Sequence, residues 1–370
     1  MREFLRTELN MSIRAATRAA QKLPEDWEDK CEQSVMRKGW IVWEYEIPAQ
    51  LHVNSDQTQI VYAPGTKLTW AETGAKQVSL IGGDEKRAFT VMVSVSNSGD
   101  LLPFQVIYMG KTTASMPSNM APHYHDCINA GFRFEFSGTK TYWSNQKTMQ
   151  DFVRHILVPY FEAKKQELGL PKSQKALWTI DVWSVHRSEE FREWMKAYYP
   201  WIILDYVPGG CTGVAQPCDV GIQQPFKHVV KQAYHEFIVR ELTAQMTANQ
   251  GDEDLAAILD TRVGVLRDAS VSWLWNAWTA LNRPDLVKKV REVTVTVQLL
   301  PTLSSVFVRR LKCVVYASGI CLMPHLQDML SKSGCGLFDT RTPSSGWNSR
   351  QRLQKSSAAL HQMSPCLKIS

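Results

Sequence analysis

Three aspartates carry the chemistry that this sequence could perform. Asp56 lies in HVNSDQTQ, Asp181 closes KALWTID, and Asp219 sits in GCTGVAQPCDVGIQQPFK, between a Gly/Thr/Pro-rich loop and a basic amphipathic run. Magnesium takes oxygen ligands and keeps several waters, so two or three converging carboxylates suffice to hold it. Two such ions roughly 4 Å apart can clamp the attacking and leaving oxygens of an in-line phosphoryl transfer. Each acid also has a plainer role. Asp56 could mark a bulge or turn in a polar-centred strand, Asp181 a strand-end turn, and Asp219 the cap of the helix it opens. Taken singly, the plainer roles are favoured. A shared site requires elements that bring the three together.

The elements follow from periodicity. Residues 1–22 read as a basic helix, with Phe4, Leu5, Leu9, Ile13 and Ala16 at helical spacing. Pro24 ends it, and an acidic, Trp-containing helix follows to about Arg37. LHVNSDQTQIVYA (Leu51 to Ala63) has strand composition. AFTVMVSVSNSGDLLPFQVIYMG is two apolar runs across Asn97-Ser98-Gly99-Asp100, a hairpin signal. The period then changes. Thr148 to Leu168 is helical with Phe152, Ile156, Leu157 and Phe161 on one stripe, and Pro159 implies a kink or break in it.

KALWTID is a short apolar strand, and SEEFREWMKAYYP a helix with Ser188 as N-cap and Pro200 as stop. WIILDYVP is a second buried strand, and a long helix starts at Cys218. Three early strands suit an antiparallel unit, and later strands alternating with helices suit parallel neighbours. The predicted class is α/β: a ribonuclease H-like mixed sheet with helices on both faces and a helical N-terminal segment. In that order the first strand and the end of the fourth are neighbours, and a following helix can bring a third carboxylate over them. Together, the three acids are better explained as a site.

Composition narrows the class further. Hydrophobic residues make up 44% and charged residues 21%, as in ordinary globular proteins. No apolar run of about 18 residues suggests a membrane span. The net charge of +6 is unevenly placed: residues 294–370 hold nine Lys/Arg against two acids, and the first 293 hold 33 against 34. Net charge is therefore weak evidence for nucleic-acid binding. The eight cysteines form no CxxC pair and read as reduced thiols. HYHDC (His123 to Cys127) has the look of a metal cluster, but no second cluster at zinc spacing supports it. Three domains are expected: a helical linker segment over 1–45, the catalytic fold with C-terminal helices over 46–293, and an atypical, poorly ordered tail over 294–370.

The stretch from about Leu51 to Glu236 resembles the DDE superfamily endonuclease domain of pogo/Tigger-type transposases, relatives of centromere-binding and Jerky proteins. HVNSDQTQ resembles the family's Asn-x-Asp-Glu-Thr motif, IDVWSVH its Asp-Asn…His motif, and VAQPCDVGIQQPFK its Gln-Pro-Leu-Asp-Val-Gly…Lys motif. The last is the most specific. Fungal transposon-derived proteins look most similar. The resemblance implies that Asp56, Asp181 and Asp219 are catalytic and bind magnesium or manganese, two ions in all. It departs at Gln57, where the family usually has Glu, and at Val182, where it usually has Asn beside the metal face.

His186 matches the family's trailing His and would hydrogen-bond near the site or contact phosphate; capping the helix at Ser188 stays equally open. Lys227 and Lys231, with His228 and Arg240, would meet DNA phosphates, although a solvated helix face remains the alternative. Relatives carry a helix-turn-helix module ahead of this domain, and only some fifty residues precede Asp56, so the chain is expected to lack that module. The resemblance implies DNA as partner, no membrane, a homo-oligomer on DNA, and the nucleus. The function expected is metal-dependent DNA cleavage and strand transfer. The rivals are a catalytically inactive remnant that binds DNA or other partners, and a ribonuclease H-like nuclease outside transposition.

Overall fold

The computed structural model describes residues 2–15, 23–62, 68–73, 86–248 and 259–289. It divides into two units, Met1–Leu322 and Met323–Ser370, and every described residue belongs to the first. The expected tail over 294–370 lies outside the described residues. In chain order the elements are α1 (Arg2–Thr7), β1 (Met11–Ala15), α2 (Trp27–Glu44), β2 (His52–Val61), β3 (Leu68–Glu72), β4 (Ala88–Ser96) and β5 (Gln105–Tyr108). There follow α3 (Tyr124–Asn129), β6 (Arg133–Phe136), α4 (Gln146–Phe152), α5 (Val158–Glu167), β7 (Ala176–Ile180), α6 (Ser184–Arg187) and α7 (Glu189–Tyr198). The last are β8 (Ile202–Tyr206), α8 (Thr212–Ala215), α9 (Gln223–Ala248) and α10 (Val263–Leu281).

Six strands form one sheet in the order β6-β5-β4-β2-β7-β8. β2, β4 and β5 pair antiparallel, with Asp56 opposite Val93, and β7 lies parallel to both β2 and β8. The three-strand meander flanked by parallel strands is the expected ribonuclease H-like arrangement. β6 adds a parallel edge strand that the sequence reading did not contain. All nine residues of β4 are buried, as a central strand covered on both faces requires. Over one face lies a core containing Val91, Val93, Phe104, Phe226, Val230 and Trp273, built with α9 and α10. Over the other lie Met92, Phe152, Phe161, Trp178 and Phe191, from the sheet and from α4, α5 and α7. Helices therefore cover both faces.

Several local expectations hold with refinements. Ser188 Oγ accepts the Phe191 N–H and caps α7. The hairpin turns at Gly99, whose φ of +105° favours glycine; a Cβ there would meet the Pro284 carbonyl oxygen at 2.9 Å. Pro159 does not break its helix. A π-turn over Val153–Leu157 precedes it, widening the backbone where the proline ring removes a donor. Helix α2 runs on past Arg37 to Glu44, and Arg37 Nε donates to Asp205 Oδ1 at 2.7 Å, fastening it to β8.

The N-terminal helix expected over 1–22 is corrected over residues 2–15, and residues 16–22 lie outside the described residues. The helix ends at Thr7, Asn10 takes a left-handed φ of +48°, and Met11–Ala15 pairs antiparallel with Leu68–Glu72. Ile13 and its neighbours suit either period, and pairing with a distant strand decides between them.

Glu135 on β6 lies half-buried on the α4 side of the sheet, where Gln105 Nε2 donates to its Oε2 at 3.0 Å. Burial, then Asp151, pushes its carboxyl up to about 7. A raised carboxyl keeps its proton in the folded state while the unfolded chain loses it near pH 4.5. Its contribution is therefore full below that pH and is lost as pH rises toward 7, about 3 kcal/mol in all. Glu135→Gln is expected to raise stability at pH 8 and to change it little at pH 4. Urea melts at the two pH values test this, and equal effects at both would refute it.

Candidate functional site

Polar residues occupy alternate positions on one face of β2. Asn54, Asp56 and Thr58 are all buried in the middle of a central strand. Buried polar groups need partners, and these find theirs in the chain around Asp219. Asn54 Nδ2 donates to Thr179 O and to Gln216 Oε1, both at 3.1 Å, while Asn54 Oδ1 accepts the Cys218 N–H at 3.1 Å. Gln216 Nε2 donates to Ser55 O at 3.1 Å. Two carboxamides thus clamp the Gln216–Cys218 segment onto β2, immediately before Asp219.

Asp219 lies in a π-turn over Cys218–Ile222 that leads into α9. The N-cap is Pro217 and makes no side-chain cap bond, so Asp219 is a first-turn acid rather than a cap. The helix dipole favours its charge there. A π-turn also widens the backbone, and such turns recur at functional sites.

Asp56 is 6% exposed. Its Oδ1 accepts the Gln57 N–H at 2.9 Å, and its Oδ2 accepts from Gln223 Nε2. Burial, followed by the charges of Asp219 and Asp181, holds its carboxyl well above the usual carboxylate range. Burial likewise raises Asp219; the Asp56 contact and Lys227 oppose this, and Asp181 adds to it. Asp56 and Asp219 are close enough to hydrogen-bond through their side chains. Two carboxyls this close disfavour each other's simultaneous ionisation, and a proton or a cation between them relieves that.

Asp181 follows the last residue of β7, where the parallel register with β2 carries it to the level of Asp56. Its side chain is 30% exposed, and His186 Nδ1 donates to its Oδ1 at 2.8 Å. His186 itself is 1% exposed, Tyr206 Oη donates to its carbonyl, and its Nε2 is buried without a partner. The ring neither caps α7, a task Ser188 performs, nor lies open to a phosphate. It orients Asp181.

Among the described residues, no three His, Cys, Asp or Glu side chains already form a metal cage. Asp56 and Asp219 converge, and Asp181 acts on both through its charge while its Oδ1 is engaged by His186. The donor set still fits a hard divalent cation: it is all oxygen, buried at one end and open at the other, with excess negative charge. HYHDC has no such character. His123 pairs with Asp126 at 2.8 Å and stacks on Trp275. Cys31, Cys127, Cys211 and Cys218 are free and buried.

The family departures separate. Gln57 points to the opposite face, where its Nε2 reaches Met149 Sδ, so it does not line the Asp56 side. Val182 is half-buried directly after Asp181. Lys227 and Lys231 are exposed one turn apart on α9, and Lys227 Nζ lies 3.3 Å from Gln223 Oε1. The sequence reading missed Asn54 and Gln223 as site residues. The i, i+2, i+4 polar alternation in an otherwise apolar strand was the available signal for the first, and the i+4 spacing from Asp219 for the second.

Strand order and the grouping of Asp56 with Asp219 define a ribonuclease H-like domain with a carboxylate site. The chain belongs to the DDE superfamily endonuclease family, whose model matches residues 86–289. That match contains Asp181 and Asp219; Asp56 precedes it. The chain is similar to the human "Pogo transposable element with KRAB domain", at 22% identity over 299 residues, covering 78% of this chain and 42% of that protein. The mouse counterpart is likewise 22% identical, covering 78% and 43%. The chain thus spans less than half the length of these relatives. Among solved structures, the catalytic domain of Mos1 mariner transposase is 10% identical, covering 75% of this chain and 93% of that one, with a TM-score of 0.39. The Mos1 mariner paired end complex with Mn is 11% identical, covering 84% and 68%, with a TM-score of 0.40. By the family match and the Pogo relatives, this chain carries a DDE endonuclease domain related to transposable-element proteins. No described helix is long and apolar enough to cross a membrane.

Proposed function

We infer that this domain cleaves and joins DNA phosphodiesters with divalent metal, and that Asp56, Asp181 and Asp219 hold the ions. The observation that carries this reading is the meeting of buried Asp56 with half-buried Asp219, two acids from different motifs brought together under the charge of a third. Magnesium or manganese, when bound, would lower the pKa of the attacking oxygen and offset charge on the phosphate. Asp56 and Asp219 present oxygens from the buried side, and Asp181 presents one from the open side. His186 keeps Asp181 in its rotamer. Lys227 and Lys231 meet phosphates, which supplies salt-sensitive affinity without reading sequence. A homo-oligomer on DNA and a nuclear location belong to the same proposal, tested by light scattering with DNA and by fluorescence imaging.

Nicking of supercoiled plasmid tests the chemistry. The expected result is nicking with Mg²⁺ or Mn²⁺ that chelation abolishes. Absence of nicking with either ion, in protein shown to melt cooperatively, would leave only a DNA-binding role. The two lysines make a separate prediction. Lys227→Ala with Lys231→Ala should weaken DNA binding and reduce the slope of log affinity against log salt by about 2. An unchanged slope would remove them from the interface.

A further inference from the structure

Gln223 follows Asp219 by four residues, one helical turn, and is 7% exposed between α9 and β2. Thr58 Oγ1 donates to Gln223 Oε1 at 3.0 Å, and Lys227 Nζ lies 3.3 Å from the same oxygen. Two donors on that oxygen determine which way the amide faces, because its nitrogen end cannot accept them. The NH₂ group is therefore turned to Asp56, where it donates to Oδ2. With the Gln57 N–H on Oδ1, both oxygens of Asp56 have a fixed donor. A buried carboxylate so held cannot rotate freely toward or away from Asp219.

We propose that Gln223 is the positioning residue of the metal site: its amide sets the orientation of Asp56 and connects that carboxylate, through Lys227, to the exposed face of α9. This rests on the reading of Asp56, Asp181 and Asp219 as metal ligands. Thr58 is the outer support, since its buried hydroxyl donates to the Gln223 oxygen. A glutamine that merely filled space would affect stability when replaced by methionine, and metal affinity would not follow. A positioning glutamine would affect the reverse pair of quantities.

The test uses the full chain, with Mn²⁺ binding followed by electron paramagnetic resonance and folding by thermal melts. Gln223→Met keeps length and removes the donor; the expected Mn²⁺ dissociation constant rises about 10-fold, the loss typical of groups that orient ligands. Thr58→Val keeps shape and should move the constant in the same direction by less, which preserves the test where Gln223→Met fails to fold. In nicking assays the half-saturating Mn²⁺ concentration should rise, while the rate at saturating metal recovers toward wild type. A folded Gln223→Met protein with the wild-type constant overturns the proposal. Binding lost in Asp181→Asn yet unchanged in Gln223→Met would sink the role of Gln223 alone. A wild-type chain that binds no Mn²⁺ removes the carboxylate reading and this proposal together.

Discussion

Asp181→Asn is expected to lower metal-dependent nicking by more than about 100-fold, because losing groups that only orient a ligand already costs 10–100-fold. The substitution is gentle on the fold. Asn retains an oxygen that can accept from His186 Nδ1, the contact now at 2.8 Å. The melting temperature should therefore stay close to wild type while the chemistry disappears. Asp219→Asn should be equally inactive and yet more stable in the absence of metal. It removes a half-buried carboxyl that burial and the Asp181 charge hold away from ionisation, and with it the charge that raises the buried Asp56. Opposite movements of activity and stability are the signature of a site whose charges are arranged for a ligand and strain the empty fold. Nicking that survives Asp181→Asn would refute the assignment.

The second large effect concerns stability. Asn54→Ala should destabilise the domain by about 3–5 kcal/mol, since it strips partners from three buried groups at 1–3 kcal/mol each. Those groups are the Thr179 carbonyl, Gln216 Oε1 and the Cys218 N–H. For a domain of this size the melting temperature should fall by roughly 10 °C. Asn54→Asp keeps the acceptor for Cys218 but cannot donate to Thr179 or Gln216, and it adds another buried carboxylate beside Asp56. It should be at least as damaging. Melts in urea or by calorimetry decide the matter, and an Asn54→Ala protein as stable as wild type would show that the clamp carries little energy.

These two effects share a cause in β2. The strand sits between β4 and β7 and is covered on both faces, where Val, Ile and Leu are the usual residues. Asn54, Asp56 and Thr58 break that rule on one face, and Ser55 takes hydrogen bonds from Ser94 and Trp178 on the other. Each buried polar group has been given a partner from a distant part of the chain. The polar side chains around the site are thus held by hydrogen bonds before any ligand arrives, which suits a reaction that depends on positioning.

Local patterns in the sequence were sufficient for β2, the β4–β5 hairpin, β7, β8 and the Ser188-capped α7, because alternation, turn residues and capping are written in neighbouring positions. The same logic failed for residues 1–22. Ile13 and its flanking residues satisfy a helical stripe as readily as a strand, and the partner that makes them a strand lies at Leu68–Glu72. It also passed over β6, whose four residues are too few to show a period. The acids themselves were legible by type and by the motifs around them. What the fold does to each acid was not.

By itself, then, the sequence determined which carboxylates are available, the element that carries each of them, and the strand order that makes their meeting feasible. Only the tertiary structure decided how they meet. It buries Asp56 against Asp219, turns His186 inward onto Asp181, sends Gln57 to the far face, and brings Gln223 and the Asn54–Gln216 clamp across the gap between motifs. Apart from His186 on Asp181, these are contacts between residues far apart in the chain, and the geometry of all of them depends on side-chain packing and hydrogen-bond satisfaction in a dry interior. Spacing along a sequence carries no information about either.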